Sequence, residues 1–203
     1  MESMITQALK EWATAVDALA AGKTIMLLRK GGIKEEGNSF KVAHNRVLLY
    51  PTFEHQRPEL LKADYARRVQ PVESGWHPET IRISSWAEIT DIFQVSAAET
   101  VAALLPDHIW NEEFVSTRLK WKPRQPLYVL LLRTYKLPQV CEIQYMPEYG
   151  GCKSWIDLAE DISLAGSVAV LDDATYTQKV GEIREAIKHR ESDSCCLPEK
   201  VGV

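Results

Sequence analysis

The sequence predicts an α+β protein in which one mixed, largely antiparallel sheet is flanked by helices. Two apolar runs, residues 24–29 and 127–132, are typical of buried strands, and they end at Arg29 and just before Arg133. Apolar residues at helical spacing near both ends of the chain predict helices that cover such a sheet. A length of 203 residues is enough for one domain with a sizeable core.

The helices are predicted from apolar stripes and from start and stop signals. They cover residues 4–20, 58–69, 96–105 and 111–119, with a last helix from residue 172 or 173. Gly22 would end the first helix, and Ser96 with Glu99 forms a capping box before the third. The stripe of the last helix consists of Tyr176, Val180, Ile183 and Ile187.

The strands are predicted from apolar runs and from alternation. They cover residues 24–29, 40–42, 46–50, 80–84, 127–132, 140–144 and 154–158. Residues 34–39 are expected to form a polar loop. Two interpretations stay open for residues 85–95: Ser85 and Glu88 fit a capping box, whereas apolar residues at odd positions fit a strand.

Landmarks that recur in the same order suggest an internal pseudo-duplication, with half-units at residues 4–95 and 108–165. Leu27-Leu28-Arg29 is echoed by Leu131-Leu132-Arg133, and Ser85-Trp86 by Ser154-Trp155. If the repeat is real, the two arginine-ended strands occupy equivalent positions and their cations face a shared cleft. The alternative is a chance match. In both cases residues 1–189 form one α+β domain, and residues 190–203, which lack periodicity, form a mobile tail.

The charge, the hydropathy and the cysteine spacing of the chain exclude several classes of protein. The net charge of −4 argues against a surface built throughout for polyanions, and no apolar run approaches the ~20 residues that span a bilayer. The N-terminus lacks the layout of a secretory signal. The four cysteines, Cys141, Cys152, Cys195 and Cys196, follow no disulfide or zinc spacing. We therefore expect a reduced, cytoplasmic protein with no membrane partner and no cofactor.

A first candidate site surrounds the end of the strand at residues 24–29. Two cations precede two glycines there, and successive glycine amides can form an anion-binding nest beside charged donors. Polar residues that follow the strand at 46–50 would add hydrogen bonds. The alternative is a hairpin turn with solvated cations, and P-loop spacing is absent. The candidate phosphate contacts in this region are Arg29, Lys30, Gly31, Gly32, Thr52, His55 and Gln56.

Glu54, His55 and His44 suggest a different chemistry, because histidine serves both in acid–base catalysis and in metal binding. Zinc requires three or four ligands, however, and no two histidines stand four residues apart on a predicted helix. No metal is therefore predicted. An enzyme alternative stays open, in which Glu54, His55 and Lys30 act on a phosphorylated substrate.

The second candidate is the basic segment at residues 118–136, which contains no acid. Cations that contact phosphates and aromatic rings that stack on bases are typical of nucleic-acid surfaces. Alternatively, two prolines mark a solvated loop here and the aromatic rings belong to the core. The cations are Arg118, Lys120, Lys122, Arg124, Arg133 and Lys136, and the aromatic residues are Trp121, Tyr128 and Tyr135. We add Arg133 and Lys136 to the candidate phosphate contacts.

Residues 27–33, 49–56 and 151–155, together with Leu132-Arg133, resemble a bacterial family, domain of unknown function 1802, and the resemblance extends from about Ala8 to about Ile187. The family has no established activity, so the resemblance implies neither a reaction nor any catalytic residues for this chain. Members are occasionally linked to restriction-endonuclease-like domains, which implies work on DNA. The acid-x-lysine pair of such nucleases is absent from this chain. A nuclease activity would therefore belong to a partner protein.

Residues 21–29 are also similar to the RNA-binding barrels of the ASCH and PUA-like group. In that group a helix ends at a glycine, and a lysine-threonine strand leads to an arginine, as Gly22-Lys23-Thr24 leads to Arg29 here. This similarity implies RNA binding. We therefore predict a non-catalytic, nucleic-acid-associated module that binds DNA or RNA and is linked to restriction or DNA processing. The alternatives are the small enzyme and a protein-interaction scaffold.

Overall fold

A computed structural model shows the chain folded around one seven-stranded mixed sheet. It describes residues 4–30, 33–36, 39–121, 126–151 and 153–194, with the backbone alone at 33–36, 39–41 and 189–194. The strands are β1 (Met4–Trp12), β2 (Met26–Arg29), β3 (Ile33–Glu36), β4 (Ser39–Val42), β5 (Arg46–Thr52), β6 (Thr80–Val95), β7 (Leu127–Gln144), β8 (Trp155–Ser163) and β9 (Val168–Ala169). The helices are α1 (Ala13–Ala20), α2 (Ala63–Ala66), α3 (Ala98–Ala103), α4 (Glu112–Lys120) and α5 (Asp173–Ser194).

The strand order in the sheet is β2-β7-β6-β5-β1-β8, and β9 also pairs with β7. β1 and β5 run parallel, and every other pair in the sheet is antiparallel. β3 and β4 form a separate hairpin. The predicted α+β class, with a mixed and largely antiparallel sheet, is confirmed.

The long ribbon of β6 and β7 resolves the open choice at residues 85–95, which belong to a strand. The two strands pair from Thr80 opposite Gln144 to Val95 opposite Leu127. Their register shifts after Ile83 and after Ile89, and such bulges bend a strand and increase its twist. The predicted strand at 140–144 is the far end of β7.

Apolar residues are buried on both faces of the sheet, in two separate clusters. Neighbouring residues of β5 are divided between them: Leu48 belongs to one cluster and Leu49 to the other. Successive side chains of a strand point to opposite faces, so a strand covered on both sides must be apolar throughout. The predicted stripe of α5 packs into the larger cluster through Tyr176, Val180, Ile183 and Ile187.

The predicted helix at residues 4–20 is wrong over its first half. Residues 4–12 form β1, which lies between β5 and β8, and the helix begins only at Ala13. The register of β1 against β8 shifts between Ile5 and Gln7. This irregularity breaks the alternation that identifies a strand, so the spacing of Ile5 and Leu9 resembled a helical stripe.

Three shorter elements also differ from expectation. The predicted loop at 34–39 is wrong, because residues 33–36 and 39–42 pair as a hairpin. The predicted helix at 58–69 is replaced by a 3-10 turn at Pro58–Leu60 and the four-residue α2. No side chain caps α3, whose N-cap residue is Ala97 rather than Ser96. Asn111, in contrast, caps α4 by accepting a hydrogen bond from the Phe114 amide at 3.0 Å.

The expected shared cleft for the two arginine-ended strands is wrong, because those strands pair directly with each other. β2 runs antiparallel to β7, with Met26 opposite Leu131 and Arg29 opposite Tyr128. Arg29 and Arg133 therefore lie at opposite ends of this ladder. The structure gives no support for a pseudo-duplication.

At the C-terminus, α5 continues to Ser194, beyond residue 190 where the tail was predicted to begin. Cys152, Cys195 and Cys196 lie outside the described residues. Among the helices that the structure describes, none is both long and apolar enough to cross a membrane.

Candidate functional site

A cleft of about 1200 Å³ lies where the ends of β1, β2 and β5 approach each other. Tyr128, near the start of β7, and Tyr145, directly after its end, both line it, so the bent β6–β7 ribbon curves around this space. Of the lining residues within the described part of the chain, ten are Phe, Tyr or Trp, five are Lys or Arg and two are Glu. We call this space the aromatic cleft.

One wall of the aromatic cleft is the connector between α2 and β6, which we call the Trp76 loop (residues 73–78). Trp76 is 46% exposed, and its ring meets the edge of Phe53 at a centroid distance of 5.9 Å and an angle of 87°. His77 stacks on Tyr145, with centroids 3.4 Å apart and planes 14° from parallel. Two aromatic contacts therefore attach this loop to the ends of β5 and β7.

The carboxylate of Glu54 holds the Trp76 loop through hydrogen bonds. It accepts a hydrogen bond from the Gly75 amide at 2.7 Å and one from the Ser74 hydroxyl at 3.1 Å. The Gly75 hydrogen bond is the main reason why the pKa of Glu54 lies below its usual value. His55 is exposed, has a φ of 65°, and places Nε2 at 3.3 Å from the same carboxylate.

A second wall of the cleft is formed by residues of α4 and by Trp121, which directly follows the helix. Phe114 stacks on Trp110 with centroids 4.9 Å apart. The guanidinium of Arg118 lies over Phe114 at 5.0 Å and over Trp121 at 5.7 Å. Burial lowers the pKa of Arg118 from its ordinary value, and the cation stays within the aromatic surroundings that favour it. Trp121 is 47% exposed at the cleft.

Lys30 is buried against the end of α4, although its position in the sequence suggested a phosphate contact. Its side-chain ammonium donates to the carbonyl of Leu119 at 3.2 Å and to that of Trp121. These carbonyls belong to the end of α4, where cations are favoured by the helix dipole. Burial lowers the pKa of Lys30. Lys30 therefore holds α4 against β2.

Lys10 plays the same part for a third segment. Its ammonium donates to the carbonyl of Tyr149 at 2.5 Å and to that of Gly151 at 2.8 Å. These carbonyls belong to the turn between β7 and β8, which also carries the exposed Lys153. Each irregular wall of the cleft is thus held by one ionised side chain from a strand end or from the residues directly after it: Glu54, Lys30 or Lys10.

Arg29 and Glu11 form an ion pair between β2 and β1, with 2.7 Å between Nη1 and Oε2. Their side chains are only 11% and 13% exposed. The Thr52 hydroxyl donates to the Glu11 carbonyl at 3.0 Å. Gln56 is buried, and its Oε1 accepts from the amide and the hydroxyl of Thr14 at the start of α1.

The structure thus brings together four of the predicted contacts, Arg29, Lys30, Thr52 and His55, at the aromatic cleft. Gly31 and Gly32 lie outside the described residues. Arg133 does not line the cleft: it pairs with Asp173 and lies over the Tyr176 ring at 5.0 Å. Lys136 is exposed opposite β9. The role of these residues as phosphate contacts stays a prediction.

His44 is exposed and is not among the residues that line the cleft. In the part of the chain that the structure describes, no three His, Cys, Asp or Glu residues are grouped to hold a metal ion. Glu54 and His55 are neighbours, but the Glu54 carboxylate is occupied by the Trp76 loop.

Sequence reasoning missed Trp76, His77, Tyr145 and Lys153. A signal that could have revealed Trp76 and His77 is their position as an adjacent Trp-His pair inside a connector bounded by Pro71 and Pro78. Arg118, Trp121 and Tyr128 were singled out as part of the basic segment, and all three line the cleft.

The fold and the cleft define an α+β protein with one curved mixed sheet and an aromatic, cation-bearing cleft at its strand ends. The chain belongs to the family described as Domain of unknown function (DUF1802), whose model matches residues 8–182. This confirms the resemblance seen in the sequence. No curated protein sequence matches the chain.

Among solved structures, the chain is similar to the crystal structure of ASCH from Zymomonas mobilis. The identity is 14% and the TM-score 0.44, over 86% of this chain and 92% of that one. A crystal structure of a Tyr-to-Phe variant of the same protein gives 12% identity and a TM-score of 0.42, over 86% of this chain and 95% of that one.

Proposed function

We propose that this protein is a non-catalytic module that binds a single-stranded segment of DNA or RNA in the aromatic cleft. The observation that supports this most directly is Trp76, which is 46% exposed beside the stacked pair of His77 and Tyr145. Exposed rings along a groove provide platforms for successive bases, and every base offers a flat face for stacking.

The charge of the cleft fits a polyanion, although the whole chain carries a net charge of −4. The described lining of the cleft contains five Lys or Arg residues and two Glu residues. Lys153 is exposed at its edge. Arg118 lies between two aromatic rings, so that a phosphate and a neighbouring base could be contacted together.

The size of the cleft argues for an extended ligand. Its volume of about 1200 Å³ exceeds the ~300–1000 Å³ that is usual for a site that holds one small molecule. The bases of a duplex present only their edges, whereas those of a single strand are free to stack on side chains. A single strand therefore fits better than one phosphorylated metabolite or a duplex.

The enzyme alternative is less well supported by the geometry. Glu54 accepts two hydrogen bonds from the Trp76 loop, and Lys30 is buried against the end of α4. Both side chains are thus used to hold walls of the cleft. A link to restriction or DNA processing, with a nuclease partner, is a separate prediction that derives from the family resemblance.

The first test is fluorescence anisotropy with labelled single-stranded RNA, single-stranded DNA and a duplex of the same sequence, across a salt series. We expect single strands to bind more tightly than the duplex, and binding to weaken as salt increases. Trp76→Ala should cost about 1 to 3 kcal/mol of binding free energy. Met4→Ala, which changes a 51% exposed residue outside the cleft, should leave the affinity for each oligonucleotide unchanged. Absence of binding at low salt would refute the proposal.

Two exposed lysines provide a matched test of location. Lys153 lines the cleft, whereas Lys136 lies on β7 away from it. If a phosphate meets Lys153, Lys153→Ala should make the negative slope of log K against log salt shallower by about 0.7, and Lys136→Ala should leave the slope unchanged. The reverse result would place the nucleic acid on the surface around Arg133 and Lys136.

A further inference from the structure

The Trp76 loop has little regular structure of its own, yet it carries two of the rings that the proposed function uses. Residues 73–78 form no helix or strand. Within the loop, the Trp76 amide donates to the Glu73 carbonyl at 3.1 Å, which forms one turn. The rings of Trp76 and His77 contact Phe53 and Tyr145. The ring positions therefore depend on what anchors the backbone between Ser74 and Pro78.

Glu54 provides a polar anchor for that backbone. Its Oε1 accepts from the Gly75 amide, directly before Trp76, and from the Ser74 hydroxyl. Gly75 has a φ of 82°, a conformation that glycine adopts freely and that the Glu54 hydrogen bond helps to maintain. Glu54 itself follows Phe53, whose ring meets Trp76. Phe53 and Glu54 thus hold the Trp76 loop in two ways: Glu54 binds the loop backbone, and Phe53 contacts the Trp76 ring.

We infer that Glu54 is a positioning residue for nucleic-acid binding, which orients Trp76 and His77 without contacting the ligand. The inference rests on the proposed function. On this inference, the Glu54 carboxylate increases the affinity for nucleic acid, although it lies in a cleft that binds a polyanion. A hydrogen bond from a backbone amide to a carboxylate is charge-assisted and directional, which suits the task of fixing a loop.

Simple electrostatics leads to the opposite expectation. Among the described residues that line the cleft, Glu54 and Glu11 are the two acids. A carboxylate near bound phosphates repels them, so its removal by itself should strengthen binding. Weaker binding after removal of the Glu54 carboxylate would therefore indicate a positioning role, whereas tighter binding would indicate that the carboxylate acts only as a repelling charge.

Three variants make the test specific. Glu54→Ala removes both the charge and the acceptor, whereas Glu54→Gln removes the charge and keeps an oxygen that accepts from Gly75 and Ser74. Glu73→Ala removes an exposed negative charge from the same loop. Affinity for a labelled single-stranded oligonucleotide is measured for each variant across a salt series.

We expect Glu54→Ala to weaken binding about five-fold or more, the effect of losing one well-placed stacking ring, with an unchanged salt slope. Glu54→Gln should bind within about two-fold of the wild type or more tightly, and Glu73→Ala should bind as well as the wild type or slightly better. If Glu54→Ala binds as tightly as the wild type or more tightly, the inference is overturned.

Hydrogen–deuterium exchange gives a second readout that needs no ligand. The hydrogen-bonded amides of Gly75 and Trp76 should exchange faster in Glu54→Ala than in the wild type, whereas in Glu54→Gln they should remain protected. The amides of the sheet should remain protected in both variants. Unchanged exchange in Glu54→Ala would also overturn the inference. If the wild type binds no nucleic acid but the exchange result is as expected, the proposed function fails and the anchoring of the loop stands.

Discussion

A Cβ atom on Gly150 would lie 2.8 Å from the hydroxyl oxygen of Tyr145 and 3.1 Å from the carbonyl oxygen of Pro147. Gly150 has a φ of −69°, which any residue adopts, so glycine is required here for space and not for backbone freedom. Tyr145 carries the ring on which His77 stacks. The turn after β7 and the Trp76 loop are therefore coupled through a close approach.

Gly150→Ala should move the Tyr145 ring and disturb the His77 stack. We expect it to weaken binding of a single strand about five-fold or more, because one stacking position is displaced. The double variant Gly150→Ala with Tyr145→Phe removes the clashing hydroxyl and should recover much of the affinity. Gly181→Ala in α5 is the control, since nothing lies within 4 Å of its added Cβ. It should raise the free energy of unfolding by about 0.5 to 1 kcal/mol and leave binding unchanged.

Lys30→Ala should lower the free energy of unfolding by about 1 to 3 kcal/mol, since two carbonyls at the end of α4 lose a charged donor. Urea unfolding at neutral pH measures this loss. Lys30→Met keeps most of the buried hydrocarbon and separates the loss of hydrogen bonds from the loss of packing. An unchanged stability together with a smaller salt slope would instead support the original interpretation of Lys30 as a phosphate contact.

Gln56→Met should lower the free energy of unfolding by about 0.5 to 2 kcal/mol, the usual loss when a helix N-terminus loses its acceptor. The reason is that Gln56 Oε1 accepts from the Thr14 amide at 3.0 Å in the first turn of α1. Gln56→Glu retains an acceptor oxygen and should be milder. Oligonucleotide affinity should be unchanged in the folded Met variant; a selective loss of affinity would show that Gln56 contacts the ligand.

His108 should make the fold sensitive to acid. It is 2% exposed, and burial lowers its pKa from the usual 6.5 to about 4. Above pH 6.5 the residue is neutral in both the folded and the unfolded chain. As the pH falls from 6.5 towards 4, the unfolded chain takes up the proton first, so stability decreases by about 3 kcal/mol in total.

Urea midpoints measured between about pH 7 and about pH 5 test this dependence. His108→Leu should remove much of the slope over that interval, whereas His44→Ala, at an exposed position, should keep it. A slope that is equally steep in His108→Leu would assign the acid sensitivity to other groups.

Local sequence patterns predicted those elements whose signals are local. The apolar runs at β2 and β7, the helix α4 and the buried stripe of α5 all appear where the sequence indicated. β1 was missed because a register shift between Ile5 and Gln7 disturbs its alternation. The hairpin of β3 and β4 was missed because a polar segment that pairs only with its neighbour lacks an apolar signature.

The candidate site was predicted in part, because only some of its residues carry a local sequence signal. Two cations after a strand marked Arg29 and Lys30, and both lie at the cleft. Their partners, Glu11 for Arg29 and the carbonyls of Leu119 and Trp121 for Lys30, come from distant parts of the chain. No local pattern reveals whether a cation will meet a ligand or a helix end.

Hydrophobic periodicity and short distinctive segments were enough to predict the α+β class, the main buried strands, the last helix and the family. The pairing of β2 with β7, and hence the separation of Arg29 from Arg133, is visible only in the folded chain. Folding also brings Trp76, Tyr145 and Arg118 to one cleft. The physical reason is that strand pairing and sheet curvature are set by contacts between residues far apart in the chain, where burial of both faces leaves one arrangement favoured.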